Sequence, residues 1–198
     1  HGKFHLPAAW PLLEAKIPLF IDKPFCYRLS EGKRFLSRAA ELSVPVSSFS
    51  VLPHQQAFVQ FKRDLRALGK IQSIISTGPC DLKSRYGGIF FYGIHQVDMI
   101  INLLGVDLGH AQIIRGAKDN HIGVLTYRDG TTATMNLIGS GSPVFHLSAI
   151  GEKGRIDREI SFDKNTYLTG TRTFCRMFKT GKKNETVESM LAPVASLE

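Results

Sequence analysis

Two groups of side chains in this sequence have the types and spacing that proton-transfer chemistry needs. The first is Asp22-Lys23-Pro24, which closes the apolar run Pro18-Leu19-Phe20-Ile21. A lysine just beyond the carboxyl end of a buried strand projects toward the place where parallel α/β sheets bind ligands. Its ammonium can hydrogen-bond a substrate hydroxyl, assist loss of the proton and stabilise the alkoxide that develops. Burial would lower the amine's pKa toward working pH, and the X-Pro bond after it is of the kind that can be cis. The plainer reading is a surface lysine beside a strand-ending proline, and spacing alone leaves both open.

The second group is His95-Gln96-Val97-Asp98, an imidazole and a carboxylate at i, i+3 on one face of a helical turn. The carboxylate can orient the ring or cap the helix start, and the ring can relay a proton. The pair can also be taken as metal ligands, but two groups fall short of the set a stable ion needs, so no metal is expected. The remaining histidines show no ligand spacing. His1 and His5 are expected to lie in a frayed terminus, and turn or surface roles suffice for His54, His110, His121 and His146. Cys26, Cys80 and Cys175 are far apart and odd in number, which suggests reduced thiols rather than a disulfide framework. No GxGxxG or GxxxxGK[ST] pattern occurs. Gly139-Ser140-Gly141 is followed by Ser142 and Pro143 without a helix-opening third glycine, so a phosphate cradle is not encoded.

The elements that must hold these groups fall into two styles. Ala8 to Lys16 reads as a short helix with Pro7 and Pro11 near its first turn. Pro18 to Asp22 suits a strand buried on both faces. Ser30 can cap a second helix that gathers Phe35, Leu36, Ala39, Ala40 and Leu42 on one side. Val44 to Val51 follows as a second strand. Helix, strand, helix, strand is the pattern of a parallel α/β sheet. From His54 the pattern changes. Phe58, Phe61, Leu65 and Leu68 mark an amphipathic helix stopped by Gly69, then come a strand at Lys70–Thr77, a glycine-punctuated loop over Gly78–Gly93 and a helix over Ile94–Leu104. The rest reads as mostly antiparallel sheet. Arg128-Asp129-Gly130-Thr131 and Gly151-Glu152-Lys153-Gly154 mark two hairpin turns, and a last helix is expected over Arg172–Lys179. The expected fold class is therefore α/β plus α+β. Residues 1–53 form the end of a Rossmann-like parallel sheet, and residues 54–198 an open, mostly antiparallel sheet with flanking helices.

With 198 residues and 43% hydrophobic content, the chain can bury one good core or a core and part of a second. The formal charge of +8 raises nucleic acid as a partner. The only dense basic stretch, Arg172, Arg176, Lys179, Lys182 and Lys183, reads better as a solvated face. Basic residues do not alternate with aromatics as on a nucleic-acid surface, so no nucleic acid is expected. No apolar run reaches the ~20 residues of a membrane span, so no membrane role is expected. The sequence starts at His1 without a methionine. Any targeting segment is expected upstream, and cytoplasmic is the default location.

Taken in order, these pieces resemble the glucose–fructose oxidoreductase/inositol dehydrogenase/MocA family over essentially the whole chain. Asp22-Lys23-Pro24 is similar to that family's Glu-Lys-Pro strand end. Gly87-Gly88 through Gly93-Ile94-His95-Gln96-Val97-Asp98 resembles its Gly-Gly…Gly-x-His-x-x-Asp segment, and Val144 to Gly154 its later strand and Gly-Glu-Lys-Gly turn. The resemblance implies an NAD- or NADP-dependent oxidoreductase that moves hydride to or from a sugar, polyol or related substrate. It further implies a cofactor domain whose first strands and glycine loop are not in this sequence, so the chain alone is expected to be inactive. By the same resemblance Lys23 and His95 are catalytic, Lys23 and Pro24 meet the cofactor, and Tyr92, His95 and Asp98 meet the substrate. Residues 54–198 would carry the substrate site and a homo-oligomer interface on the open sheet. Phe91 stands where the family often has an aspartate, and Ser48-Phe49-Ser50 where it often has Asn-x-Arg. Those departures imply a different substrate, or a non-catalytic oligomerising or ligand-sensing scaffold on the same fold.

Overall fold

The computed structural model describes residues 2–116, 118–183 and 185–198. Helix α1 (His5–Glu14) starts earlier than its prolines suggest, with Pro11 inside it. His5 is not frayed. It belongs to α1, and its Nδ1 lies 2.8 Å from the Pro24 carbonyl oxygen. His1 lies outside the described residues. Strands β1 (Leu19–Phe20) and β2 (Val46–Ser47) pair in parallel, but each is only two residues long. Both expected strands are longer, because apolar runs mark burial rather than ladder length. Between them, helix α2 (Leu29–Glu41) buries Phe35, Leu36 and Ala39 on one face. Ser30 does not cap it. The Leu29 N–H is taken by the Glu198 carboxylate at 2.7 Å.

Helix α3 (Gln56–Asp64) continues as a 3-10 turn over Leu65–Leu68 and stops at Gly69, whose φ of 71° suits glycine. Strand β3 (Ile71–Pro79) leads by a loop to helix α4 (Ile89–Leu104). This helix starts five residues before the expected Ile94. The start signal is Gly87-Gly88, whose φ values of 115° and 58° turn the chain into the first helical turn. A side chain at Gly87 would also collide with the Tyr27 phenol. Strands β4 (Leu108–Arg115), β5 (Asn120–Tyr127), β6 (Thr132–Ile138), β7 (His146–Gly151) and β8 (Gly154–Glu159) complete a six-stranded sheet. Its order is β4-β5-β6-β3-β7-β8, antiparallel throughout except where β3 runs parallel to β6. Both expected hairpins, β5–β6 and β7–β8, are present. Helix α5 (Leu168–Thr180) is longer than expected at both ends, and helix α6 (Val187–Leu197) was not foreseen. Thr186 caps α6 by a reciprocal pair of bonds with Ser189, a signal hidden because serine stands where glutamate or glutamine is usual.

Two apolar clusters form. One gathers Leu6, Leu13, Leu19, Phe35, Leu36 and Val46 around β1 and β2, closed by Met190, Leu191 and Val194 of α6. The other lies under the six-stranded sheet, where Ile74, Leu125, Met135, Leu137 and Leu147 meet Val97, Ile100 and Ile101 of α4. Residues 93–101 of α4 are buried without interruption, so this helix has no solvent face over that length. The opposite face of the sheet carries Ile122, Thr126, Thr132 and Ile150 and is exposed. Among the described residues no helix is long and apolar enough to cross a membrane. The mixed architecture is the α/β plus α+β class expected from the sequence.

Candidate functional site

A cleft of about 320 Å³ opens where β1 and β2 end and α4 begins. Lys23, just past β1, contributes its side chain to the wall, and the Lys23–Pro24 bond is cis. Lys23 Nζ donates to the Phe91 carbonyl oxygen at 3.0 Å and lies 5.5 Å from the ring centres of both Phe91 and Tyr92. Burial holds this amine below its ordinary range, with the Asp22 carboxylate partly opposing. The ammonium uses one of its three N–H groups on Phe91, which leaves donors for a bound oxygen.

His95 reaches the same cleft from α4 and is almost wholly buried. Its Nδ1 lies 2.6 Å from Ser50 Oγ, and its ring packs against Tyr92 at 5.9 Å and edge-on to Phe145 at 5.7 Å. Burial first, and the nearby Lys23 charge second, keep the imidazole well below its usual pKa and so neutral. With Nδ1 held by Ser50, Nε2 is the nitrogen left for a ligand. Lys23 and His95, 72 residues apart in sequence, thus share one cleft.

The other expected residues are placed less uniformly. Tyr92 lines the cleft and is 40% exposed. Asp98 does not line that wall. It is buried behind His95, where its Oδ2 accepts the Ser50 N–H at 2.9 Å, and burial pushes its pKa up to about 6. It therefore makes no bond to the imidazole; both side chains converge on Ser50. Pro24 is also buried away from the cleft, with its carbonyl paired to His5.

Sequence reasoning missed Ser50, which bonds both His95 and Asp98 and accepts the Leu52 N–H at 3.2 Å. Its signals were its place three residues past β2 and its position in Ser48-Phe49-Ser50, which stands out in the sequence only as a departure from Asn-x-Arg. It also missed the far wall, where Phe162 and Tyr167 precede α5 and Gly170, Thr171 and Phe174 lie on it. Phe174 stacks on Phe20 at 4.6 Å, and Phe20 meets Phe49 at 4.9 Å, so α5 is seated across the carboxyl ends of the parallel pair. The basic residues of α5, Arg172, Arg176 and Lys179, point away as an exposed face.

Solved dehydrogenases and oxidoreductases share this fold. GenD2 from gentamicin A biosynthesis, solved in complex with NAD, superposes at a TM-score of 0.84 with 15% identity, covering 99% of this chain and 72% of its own. Apo scyllo-inositol dehydrogenase from Lactobacillus casei gives 0.83 at 14% identity, covering 100% and 73%. A variant of KijD10, a 3-ketoreductase from Actinomadura kijaniata in complex with TDP-benzene and NADP, gives 0.80 at 15% identity, covering 99% and 73%. At these identities the likeness establishes the fold. No protein-family model matches the chain, and no curated protein matches it in sequence.

Proposed function

We propose that this chain forms the substrate side, and the adjoining part of the cofactor side, of an NAD- or NADP-dependent oxidoreductase acting on a carbinol or carbonyl carbon of a small molecule. The observation that carries the reading is the meeting of Lys23 and His95 in one cleft at the carboxyl end of a parallel strand pair. The residues present fit the nicotinamide end of such a cofactor: a half-buried ammonium with free donors sits beside flat apolar rings. Among the described residues no glycine-rich turn offers a pyrophosphate cradle, so cofactor binding by this chain alone is expected to be weak.

The bound nicotinamide would accept or return the hydride, and the chain's own groups manage the proton. Lys23 donates a hydrogen bond to the substrate oxygen and favours its anionic form. His95, neutral and held at Nδ1 by Ser50, takes the hydroxyl proton at Nε2 or returns it in the reverse direction. Asp98 and Ser50 act as positioning residues, fixing the ring's orientation from behind. We further propose that residues 1–53 belong to the cofactor side and residues 54–198 to the substrate side. The exposed sheet face then pairs with a second copy, because Ile114 and Ile122 lie directly opposite each other on it and are both exposed.

The test is turnover in a protein that carries an intact dinucleotide-binding region ahead of this chain. Lys23→Met should lower kcat by about 10²–10⁴ while circular dichroism stays unchanged. Wild-type turnover in that variant would refute the assignment. Absence of turnover on any carbinol, with ligand binding retained, would favour a ligand-sensing scaffold, the reading that Phe91 at an often acidic position supports.

A further inference from the structure

The oxidoreductase reading leaves the substrate open, and the cleft wall narrows it. We propose that the site selects a substrate whose reacting carbinol or carbonyl carbon is attached to a planar aromatic group, in preference to a polyhydroxylated ring; this rests on the oxidoreductase reading above. Seven of the thirteen residues lining the cleft carry a phenyl or phenol ring. Three of them form one apolar surface, with the Phe20 ring in contact with both Phe49 and Phe174. Phe91 and Tyr92 form a second, beneath the Lys23 ammonium.

Polar partners are few by comparison. Lys23 and His95 are committed to the reacting oxygen. The remaining side-chain hydrogen-bonding groups on the wall are those of Asp22, Tyr92, Tyr167 and Thr171. A polyol ring presents a hydroxyl on almost every carbon, and each one buried against phenyl carbon without a partner is penalised. Sites built to bind hydroxyls supply those partners, and the selectivity that results is large. An aryl group asks for none and gains offset or edge-on ring contacts instead. The mouth of the cleft also leaves aromatic surface in water, with Phe162 at 53% and Tyr167 at 73% exposure. A flat apolar ligand would cover exactly that kind of surface.

The experiment needs no cofactor and no turnover, so its outcome is independent of the Lys23→Met test. Titrate acetophenone and myo-inositol separately into the isotopically labelled chain and follow its amide resonances by NMR. Acetophenone should shift amides at residues 49–51, 91–95 and 167–174, with a dissociation constant at least tenfold below that of myo-inositol. Phe91→Asp should weaken acetophenone at least fivefold; where that variant fails to fold, Phe174→Leu provides the second measurement. Equal or tighter binding of myo-inositol, or no shift at these amides with acetophenone, would overturn the aryl assignment while leaving the oxidoreductase reading standing.

Discussion

The two apolar clusters both pack against Phe90, yet they are built on different principles. Under the six-stranded sheet, burial alternates along the four central strands, as in β6, where Ala133, Met135 and Leu137 point inward and the residues between them do not. Around β1 and β2 the ladder spans only two residue pairs, and burial comes from a shell of helices α1, α2 and α6. A long ladder fixes side-chain direction by repetition. A short ladder inside a helical shell fixes the loops that leave it, through individual buried bonds such as Ser50 to His95 and Asp98. The chemistry is concentrated where the second principle operates, and the regular sheet serves as the foundation for α4.

The sharpest way to break this contrast is to hollow each cluster in turn. Phe35→Ala, in the helical shell, is expected to cost about 3–5 kcal/mol, and Leu147→Ala, under the sheet, about 2–5 kcal/mol. Helix α6 feeds Met190, Leu191 and Val194 into one cluster and Leu197 into the other. Both variants should therefore unfold in a single denaturant transition. Two separated transitions would show that the clusters are independent.

A smaller effect probes the buried polar contacts that hold the site. His95 takes up a proton near pH 6.5 in the unfolded chain but not in the folded one, whose imidazole is held well below that value. Its contribution is intact above pH 6.5 and is lost as pH falls, at up to about 1.4 kcal/mol per pH unit. Asp98 works in the opposite sense. Its folded pKa of about 6 exceeds the unfolded value near 3.9, so its contribution is present at low pH and lost as pH rises through 6. The stability difference between wild type and His95→Gln isolates the first term. It should shrink between pH 6.5 and pH 5, by at most about 2 kcal/mol, and urea titrations at both values would measure it; a difference that does not change with pH would rule out a neutral buried imidazole.

The smallest change in folding energy is expected on the exposed sheet face. Ile114→Asp should alter the stability of a single chain by no more than about 0.5 kcal/mol, yet convert a dimer to a monomer in sedimentation. A wild-type chain that already sediments as a monomer would remove the pairing proposed for that face.

Much of this arrangement was legible in the residues. The turn signals at Asp129-Gly130 and at Gly151 to Gly154 located both hairpins, and Asp22-Lys23-Pro24 located the lysine of the cleft. What could not be read depended on backbone conformation or on partners distant in sequence. The start of α4 was set by paired glycines with positive φ, which composition alone reads as loop. Asp98 was expected beside the imidazole because i, i+3 spacing permits it, but a serine 48 residues earlier claims the carboxylate instead. The aromatic wall from α5 was invisible because its rings lie in a segment with strong basic character and no neighbouring strand.

The hydrogen bond from Lys23 to residue 91 is made to a peptide oxygen, beside the contact of the ammonium with the phenyl ring. Every amino acid supplies that oxygen in the same place. The ring at position 91 can therefore be exchanged for another side chain without removing this hydrogen-bond acceptor from the ammonium. Selectivity at this position can drift in evolution, or be redesigned at the bench, while the proton-handling lysine keeps its footing.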